Sequence, residues 1–255
     1  MRTALTIAGA DPSGGAGIQA DLMVFESFGV KGLSAITALT AQDGKRVHAV
    51  EPVSSEFLLK EITVLLKKFS VDAVKIGMLG TGQNGLALAR LFKRTGLNNI
   101  VLDTVFASTG GRPLIDEGGV DAVKGLIKYA YIVTPNLGEA SMITGIDVRD
   151  LRSMEEAALA IHSMGARAVL IKGGHLEGNP VDVLFDGKRF DYFKGRRLKG
   201  TKERFHGTGC MLSAGIAAGL AKGNGLKKAV EDARERLIAI LKKRGTRKAA
   251  RKIEL

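Results

Sequence analysis

Two kinds of apolar run alternate along the chain. Short stretches rich in β-branched and apolar residues read as strands: "ALTIAG" (4–9), "LSAITALTA" (33–41), "AVKIG" (73–77), "NIVLDTV" (99–105), "YIVTPN" (131–136) and "AVLIKGG" (168–174). Between them, helical spacing of apolar residues predicts helices at "GIQADLMVFESFG" and at about 55–69, 82–95, 118–128, 137–144 and 153–164. Two more helices, at about 209–221 and 226–244, close the chain. Near-continuous apolar strands separated by helices imply an α/β fold with a mostly parallel sheet covered on both faces. "DVLFDGKRFDYF" (182–193) differs, because two alternating runs flank Asp186-Gly187. That is a hairpin signal, so a late antiparallel addition to the sheet is expected. No linker, low-complexity tract or internal repeat interrupts the pattern, which predicts a single domain over 1–255 with a basic C-terminal helix and tail from about 226.

Composition narrows the class. The 255 residues are 45% hydrophobic and 25% charged, ordinary for a globular protein. The single cysteine, Cys210, cannot form an intrachain disulfide. The apolar run at the N-terminus is too short for a signal peptide, and no segment approaches the ~20 apolar residues of a membrane span. A cytoplasmic protein with no membrane partner is expected. The net charge of +12 raises the question of nucleic acid. However, residues 222–255 hold 12 Lys and Arg against 4 Asp and Glu, a net of +8 that leaves +4 for the rest. Leu226, Val230, Leu237, Ile238 and Leu241 recur there at helical spacing, so the charges read as a solvated face. With no Trp and few aromatics to stack bases, nucleic acid is not an expected partner.

Polar and glycine-rich groups cluster after the strands: Asp11 to Gly17, Gln42, Gly77-Met78, Asp103, Asn136 and Lys172-Gly173-Gly174. Ligands of open α/β sheets gather at those carboxyl ends. Gly207-Thr208-Gly209 before a helix is either a simple cap or an anion site made of free backbone N–H groups and the helix dipole. Cys210 opens that helix, where the dipole lowers a thiol pKa. It is a base, a nucleophile or a small buried apolar residue. Asn136 and Glu139 form N-x-x-E, either a capping pair or a carboxylate for hydrated Mg²⁺. Asp103 is a second carboxylate for the metal or a loop cap, and Lys172 a phosphate partner or an ordinary strand-end lysine. No G-x-x-x-x-G-K-[ST] element occurs, the first glycine loop lacks the G-x-G-x-x-G spacing, and His48, His162, His175 and His206 lack metal-ligand spacing. P-loop, dinucleotide and zinc chemistries are therefore set aside.

In this order, "AGADPSGGAGIQADL", "SAITALTAQ", "VKIGMLG", "VLDTV", "TPNLGEA", "IKGGH" and "HGTGCMLSAGIAA" resemble the hydroxymethylpyrimidine/phosphomethylpyrimidine kinases of thiamin biosynthesis. These belong to the ribokinase-like superfamily, and the likeness runs over about residues 3–221. It implies a three-layer ribokinase-like sandwich and ATP- and Mg²⁺-dependent phosphorylation of 4-amino-5-hydroxymethyl-2-methylpyrimidine and then of its monophosphate. By the same resemblance, Asp21 and Gln42 hydrogen-bond the pyrimidine, while Ala16 and Met78 pack on its ring. Cys210 is the base and Gly207, Thr208 and Gly209 the anion hole. Lys172, Asn136 and Thr208 meet the nucleotide, and Glu139 with Asp103 meets Mg²⁺. A homodimer is the expected assembly. "AGAD", "LDTV" and "TAQDGKRVHAV" depart from the commoner forms, the last in a region expected to act as a lid. Pyridoxal kinase, whose substrate also carries a ring hydroxymethyl group, is the nearest rival. A non-catalytic ligand-binding regulator is the rival from another class.

Overall fold

The computed structural model describes residues 1–108, 110–198 and 205–250, without side chains for 245–250. Among these residues nine strands form one sheet. They are β1 (Thr3–Ala10), β2 (Lys31–Gln42), β3 (Val47–Pro52), β4 (Ala73–Ile76), β5 (Ile100–Leu102), β6 (Ile132–Val133), β7 (Ala168–Ile171), β8 (Val181–Phe185) and β9 (Phe190–Lys194). Their spatial order is β3-β2-β1-β4-β5-β6-β7-β8-β9. From β2 to β7 neighbours run parallel, whereas β3, β8 and β9 add as antiparallel edges. The hairpin expected at Asp186-Gly187 is β8–β9, with Phe185 opposite Phe190.

Eight helices among the described residues cover the sheet: α1 (Gly17–Ser27), α2 (Ser55–Lys68), α3 (Gly82–Arg94), α4 (Gly119–Ile127), α5 (Leu137–Thr144), α6 (Leu151–Ser163), α7 (Thr208–Ala221) and α8 (Leu226–Ala250). Their starts are set locally. Ser54 and Thr81 cap α2 and α3 by accepting the N–H groups of Phe57 and Asn84, and α5 and α6 begin with capping boxes. Residues of α1, α7 and α8 pack on one face of the sheet, around Phe25, Met211 and Ile216. Those of α2 to α6 pack on the other, around Leu58, Leu88 and Ile161. This is the three-layer arrangement.

Apart from Thr208 and Ser213, helix α7 is built of apolar residues and glycine, and from Met211 to Ala221 every residue is buried between the sheet and α8. A Cβ on Gly215 or Gly219 would lie 2.8 or 2.9 Å from the Cβ of Ala233 or Ala229, so these glycines let the two helices touch closely. On α8, Val230 and Leu241 are buried as the spacing predicts, but Ile238 is exposed. Ala229 and Ala233 complete the packed face instead.

The sequence pattern missed β3. "VHAVEP" has no fully buried residue, so this edge strand carries no inward apolar alternation to reveal it. Its turn, at Asp43-Gly44, uses the same dipeptide as the late hairpin: the Asp43 carboxylate accepts the N–H groups of Lys45 and Arg46. The segment expected as a lid is therefore a β2–β3 hairpin.

Candidate active site

The carboxyl ends of the parallel strands carry four groups of contacts. The first follows β5, β6 and β7. Lys172 Nζ donates to Asp103 Oδ1 at 2.8 Å and lies 3.8 Å from Glu139 Oε2. Thr134 Oγ1 donates to Asp103 Oδ1 and Ser213 Oγ, from α7, to Oδ2, at 3.2 and 3.1 Å. Thr104 Oγ1 donates to Glu139 Oε2 at 3.1 Å. Burial opposes charge on Lys172, yet the two carboxylates hold its ammonium above the usual lysine range. Burial also works against the Asp103 carboxylate, but Lys172 and Lys75 together hold it below the usual range. For Glu139 burial wins and raises the carboxyl. Asn136 and Glu139 do form the capping box: Asn136 Oδ1 accepts the Glu139 N–H at 2.9 Å, and Glu139 Oε2 accepts the Asn136 N–H at 2.8 Å. The cap thereby holds Glu139 beside Lys172, so capping and a role in the site are compatible.

The second group lies under the start of α7. Gly207 is its N-cap at φ 76°, left-handed, and a Cβ there would lie 2.0 Å from the Gly15 carbonyl oxygen. Only glycine allows both the turn and the contact. Thr208, Gly209 and Cys210 then form the first turn of α7, whose N–H groups have no intrahelical partner. A Cβ on Gly209 would sit 3.2 Å from Lys172 Nζ and 4.0 Å from Asp103 Oδ2, which puts the first group next to this helix end. An anion arriving there meets backbone donors and a lysine together.

Below the same turn, Asp21 of α1 and Lys75 of β4 are paired at 2.8 Å with both side chains fully buried. Thr6 Oγ1 donates to the same oxygen, Asp21 Oδ2, at 2.6 Å. Among the described residues Oδ1 has no hydrogen-bond partner. Burial disfavours charge on Lys75, but the Asp21 carboxylate keeps the ammonium above its usual range. The Cys210 thiol corrects an expectation. Burial pushes it up to about 11, although Lys75 and the Gly17 backbone act to lower it. The helix start does not yield a resting thiolate, because desolvation outweighs the nearby positive charge.

The third group joins the β1–α1 loop to the α7 turn. Asp11 Oδ1 accepts from Ser13 N–H and Oγ, and Oδ2 accepts from the Ala16 N–H at 2.8 Å. His206 Nε2 lies 2.9 Å from the same Oδ2. Burial works against this carboxylate, yet the bonds from His206, Ser13 and Ala16 bring it down to about 2. Ala16 itself is the N-cap of α1.

The fourth group is apolar. Met78, following β4, packs with Ala38 and Leu114, flanked by Val47, Val50 and Val105. Arg112 ties the 105–114 loop to β3 by donating to the carbonyls of Val47 and His48 at 2.9 and 2.7 Å. Gln42 ends β2, with Nε2 donating to Thr40 Oγ1 at 2.9 Å. Asp21 and Gln42 share no partner and belong to different groups.

Asp103, Glu139, Lys172 and the Gly207–Cys210 turn are thus brought together, with Asp21 beneath them. Sequence reasoning missed Lys75, Thr6 and the contact of His206 with Asp11. The one available signal was a lysine inside the apolar strand "AVKIG", since a buried cation requires a carboxylate.

Comparison with known proteins places the chain in a family. Residues 11–251 match the phosphomethylpyrimidine kinase family. A hydroxymethylpyrimidine/phosphomethylpyrimidine kinase of Aquifex aeolicus is 39% identical over 241 residues, 94% of each chain. The crystal structure of a phosphomethylpyrimidine kinase from Clostridium difficile superposes with a TM-score of 0.84 at 37% identity, covering 94% of this chain and 99% of that one. An ADP complex of Bacillus subtilis pyridoxal kinase does so with a TM-score of 0.84 at 37% identity, covering 92% and 89%. A sequence match across nearly the whole chain, joined to a carboxylate–lysine cluster at a glycine-capped helix, makes the chain a member of the phosphomethylpyrimidine kinase family, a family of phosphotransferases.

Proposed function

We propose that this protein uses ATP to phosphorylate 4-amino-5-hydroxymethyl-2-methylpyrimidine and then its monophosphate, the pyrimidine branch of thiamin synthesis. The observation that carries the reading is the Gly207–Cys210 turn set against Lys172, with Asp21 buried below. Backbone donors and a lysine stabilise charge that spreads over the transferring phosphoryl oxygens. Asp21 Oδ1, without a hydrogen-bond partner among the described residues, offers an acceptor to an aminopyrimidine N–H, and Gln42 supplies a second polar contact. Met78, in the apolar cluster with Ala38 and Leu114, and Ala16, the N-cap of α1, give the ring apolar contact. In its minor thiolate form, Cys210 takes the hydroxymethyl proton as that oxygen attacks the γ-phosphorus and the bond to the β-phosphate oxygen breaks. Lys172, Asn136 and Thr208 face the nucleotide phosphates.

Asp103 and Glu139 fit a hydrated Mg²⁺, which uses one or two carboxylates together with substrate phosphates. Among the described residues no group of three or more His, Cys, Asp and Glu forms a protein cage for a metal. Asp103 and Glu139 would hold the ion, which would supply positive charge against the phosphate oxygens.

All strands among the described residues join one sheet, which supports a single domain. No helix among the described residues is long and apolar enough to cross a membrane. The likeness to a pyridoxal kinase favours a second reading, phosphorylation of pyridoxal. Measuring kcat/KM for hydroxymethylpyrimidine, its monophosphate and pyridoxal decides between them. No turnover of the pyrimidines alongside clear turnover of pyridoxal would sink the first reading.

A further inference from the structure

His206 immediately precedes the left-handed Gly207 and is held from both ends. Its ring Nε2 meets Asp11 Oδ2 at 2.9 Å, across 195 residues of chain. Its carbonyl accepts from Arg244 Nη1, of α8, at 3.0 Å. Asp11 is in turn fixed by Ser13 and by the N–H of Ala16, the α1 N-cap. The ring covers the β1–α1 loop closely: a Cβ on Gly15 would lie 2.4 Å from His206 Cδ2. The Gly15 carbonyl in turn abuts Gly207. One residue therefore joins the loop that offers Ala16 to the ring, the turn that offers amides to the phosphate, and the basic C-terminal helix. The Asp11 carboxylate is buried and ionised, and a hydrogen bond to such a group is shorter and stronger than a neutral one.

We infer that His206 is a positioning residue for phosphoryl transfer, clamping the Gly207–Cys210 turn to the β1–α1 loop through Asp11 and to α8 through Arg244. It touches neither substrate nor phosphate. It sets the distance between the bound alcohol and the amides that stabilise the transition state. This rests on the phosphoryl-transfer reading of the same turn. A misplacement of about 1 Å there costs on the order of 10²-fold in rate.

The test is His206→Ala beside His206→Gln in the full-length protein, with kcat and both KM values measured on whichever alcohol the wild type phosphorylates. Amide hydrogen exchange at Thr208, Gly209 and Cys210 is followed in parallel, which needs no turnover. In His206→Ala, kcat falls roughly 10–10²-fold while the KM values for ATP and the alcohol change little. Exchange at the three amides accelerates, because the turn opens locally. The glutamine amide still donates to Asp11, so His206→Gln restores most of both signals. If His206→Ala does not fold, Arg244→Met removes only the second tether and shifts kcat and exchange in the same direction to a smaller extent. Wild-type kcat and exchange in His206→Ala, or equal defects in the alanine and glutamine variants, overturn the clamp. Wild-type protein that phosphorylates neither pyrimidine refutes the substrate assignment instead, and the exchange measurement still judges the clamp.

Discussion

Replacing Lys75 by methionine isolates the buried charge pair beneath the active site. Lys75 and Asp21 have no solvent-exposed side-chain surface and meet at 2.8 Å. Among the described residues, the carboxylate in Lys75→Met keeps one donor, Thr6, while Oδ1 already lacks a partner. Removing one member of a buried pair strands the other charge and costs about 3–5 kcal/mol. A domain is stable by only about 5–15 kcal/mol, so the loss is a large share of the total. At about 2–4 °C per kcal/mol for a chain of this size, the melting temperature falls by roughly 6–20 °C. Urea unfolding at neutral pH measures the loss, and Asp21→Asn added to Lys75→Met recovers much of it by removing the stranded charge. Acid provides a second check. Burial is the largest influence on Asp21 and raises its carboxyl, and without Lys75 the strongest opposition is gone. A carboxyl raised in the folded state binds its proton more tightly there, so its contribution to stability is present at low pH and lost as pH rises through the folded value. Lys75→Met is accordingly less handicapped in mild acid than at neutral pH. A loss below about 1 kcal/mol, typical of solvent-exposed pairs, would refute the reasoning by showing that water reaches the pair.

Other expectations concern activity. Cys210→Ala lowers kcat roughly 10²–10⁴-fold with substrate binding largely kept, and near-normal turnover rejects the base role. Because burial pushes the thiol up to about 11 and a base acts deprotonated, wild-type kcat rises about tenfold per pH unit from neutral pH toward 10, whereas a plateau near pH 7 contradicts a thiolate base. Glu139→Gln keeps an acceptor for the Asn136 N–H, so α5 stays capped and stability changes by less than about 1 kcal/mol. The Mg²⁺ concentration needed for half-maximal rate nevertheless rises, about 10–100-fold, and an unchanged Mg²⁺ titration removes Glu139 from the metal's contacts. Gly207→Ala must displace the Gly15 carbonyl, 2.0 Å from the new methyl carbon, and adopt a left-handed backbone. Steady-state kinetics should show about a 10²-fold fall in kcat, and wild-type kcat in this variant would mean that the turn geometry does not matter to the reaction.

Much of the architecture is written in local pattern. The apolar strands, the helices between them, the caps at Asn136 and Asp150, and the hairpin at Asp186-Gly187 each depend on residues within a few positions of one another. Periodicity and turn chemistry suffice to read such features. The likeness of the ordered motifs to the phosphomethylpyrimidine kinases was legible for the same reason, since each motif is a short contiguous stretch. Strand β3 escaped because its mostly exposed residues have no buried face to impose a period.

The electrostatics of the site were decided only by tertiary structure. Lys75 meets Asp21 across 54 residues, Lys172 meets Asp103 across 69, and His206 meets Asp11 across 195. No local rule pairs such residues; the parallel sheet does, by bringing successive strand ends to one edge. The thiol marks the division most clearly. Sequence located Cys210 at a glycine-led helix start, where proximity to the helix terminus argues for a thiolate. The packed site raises its proton affinity instead, because desolvation depends on everything that surrounds a group and not on its neighbours along the chain.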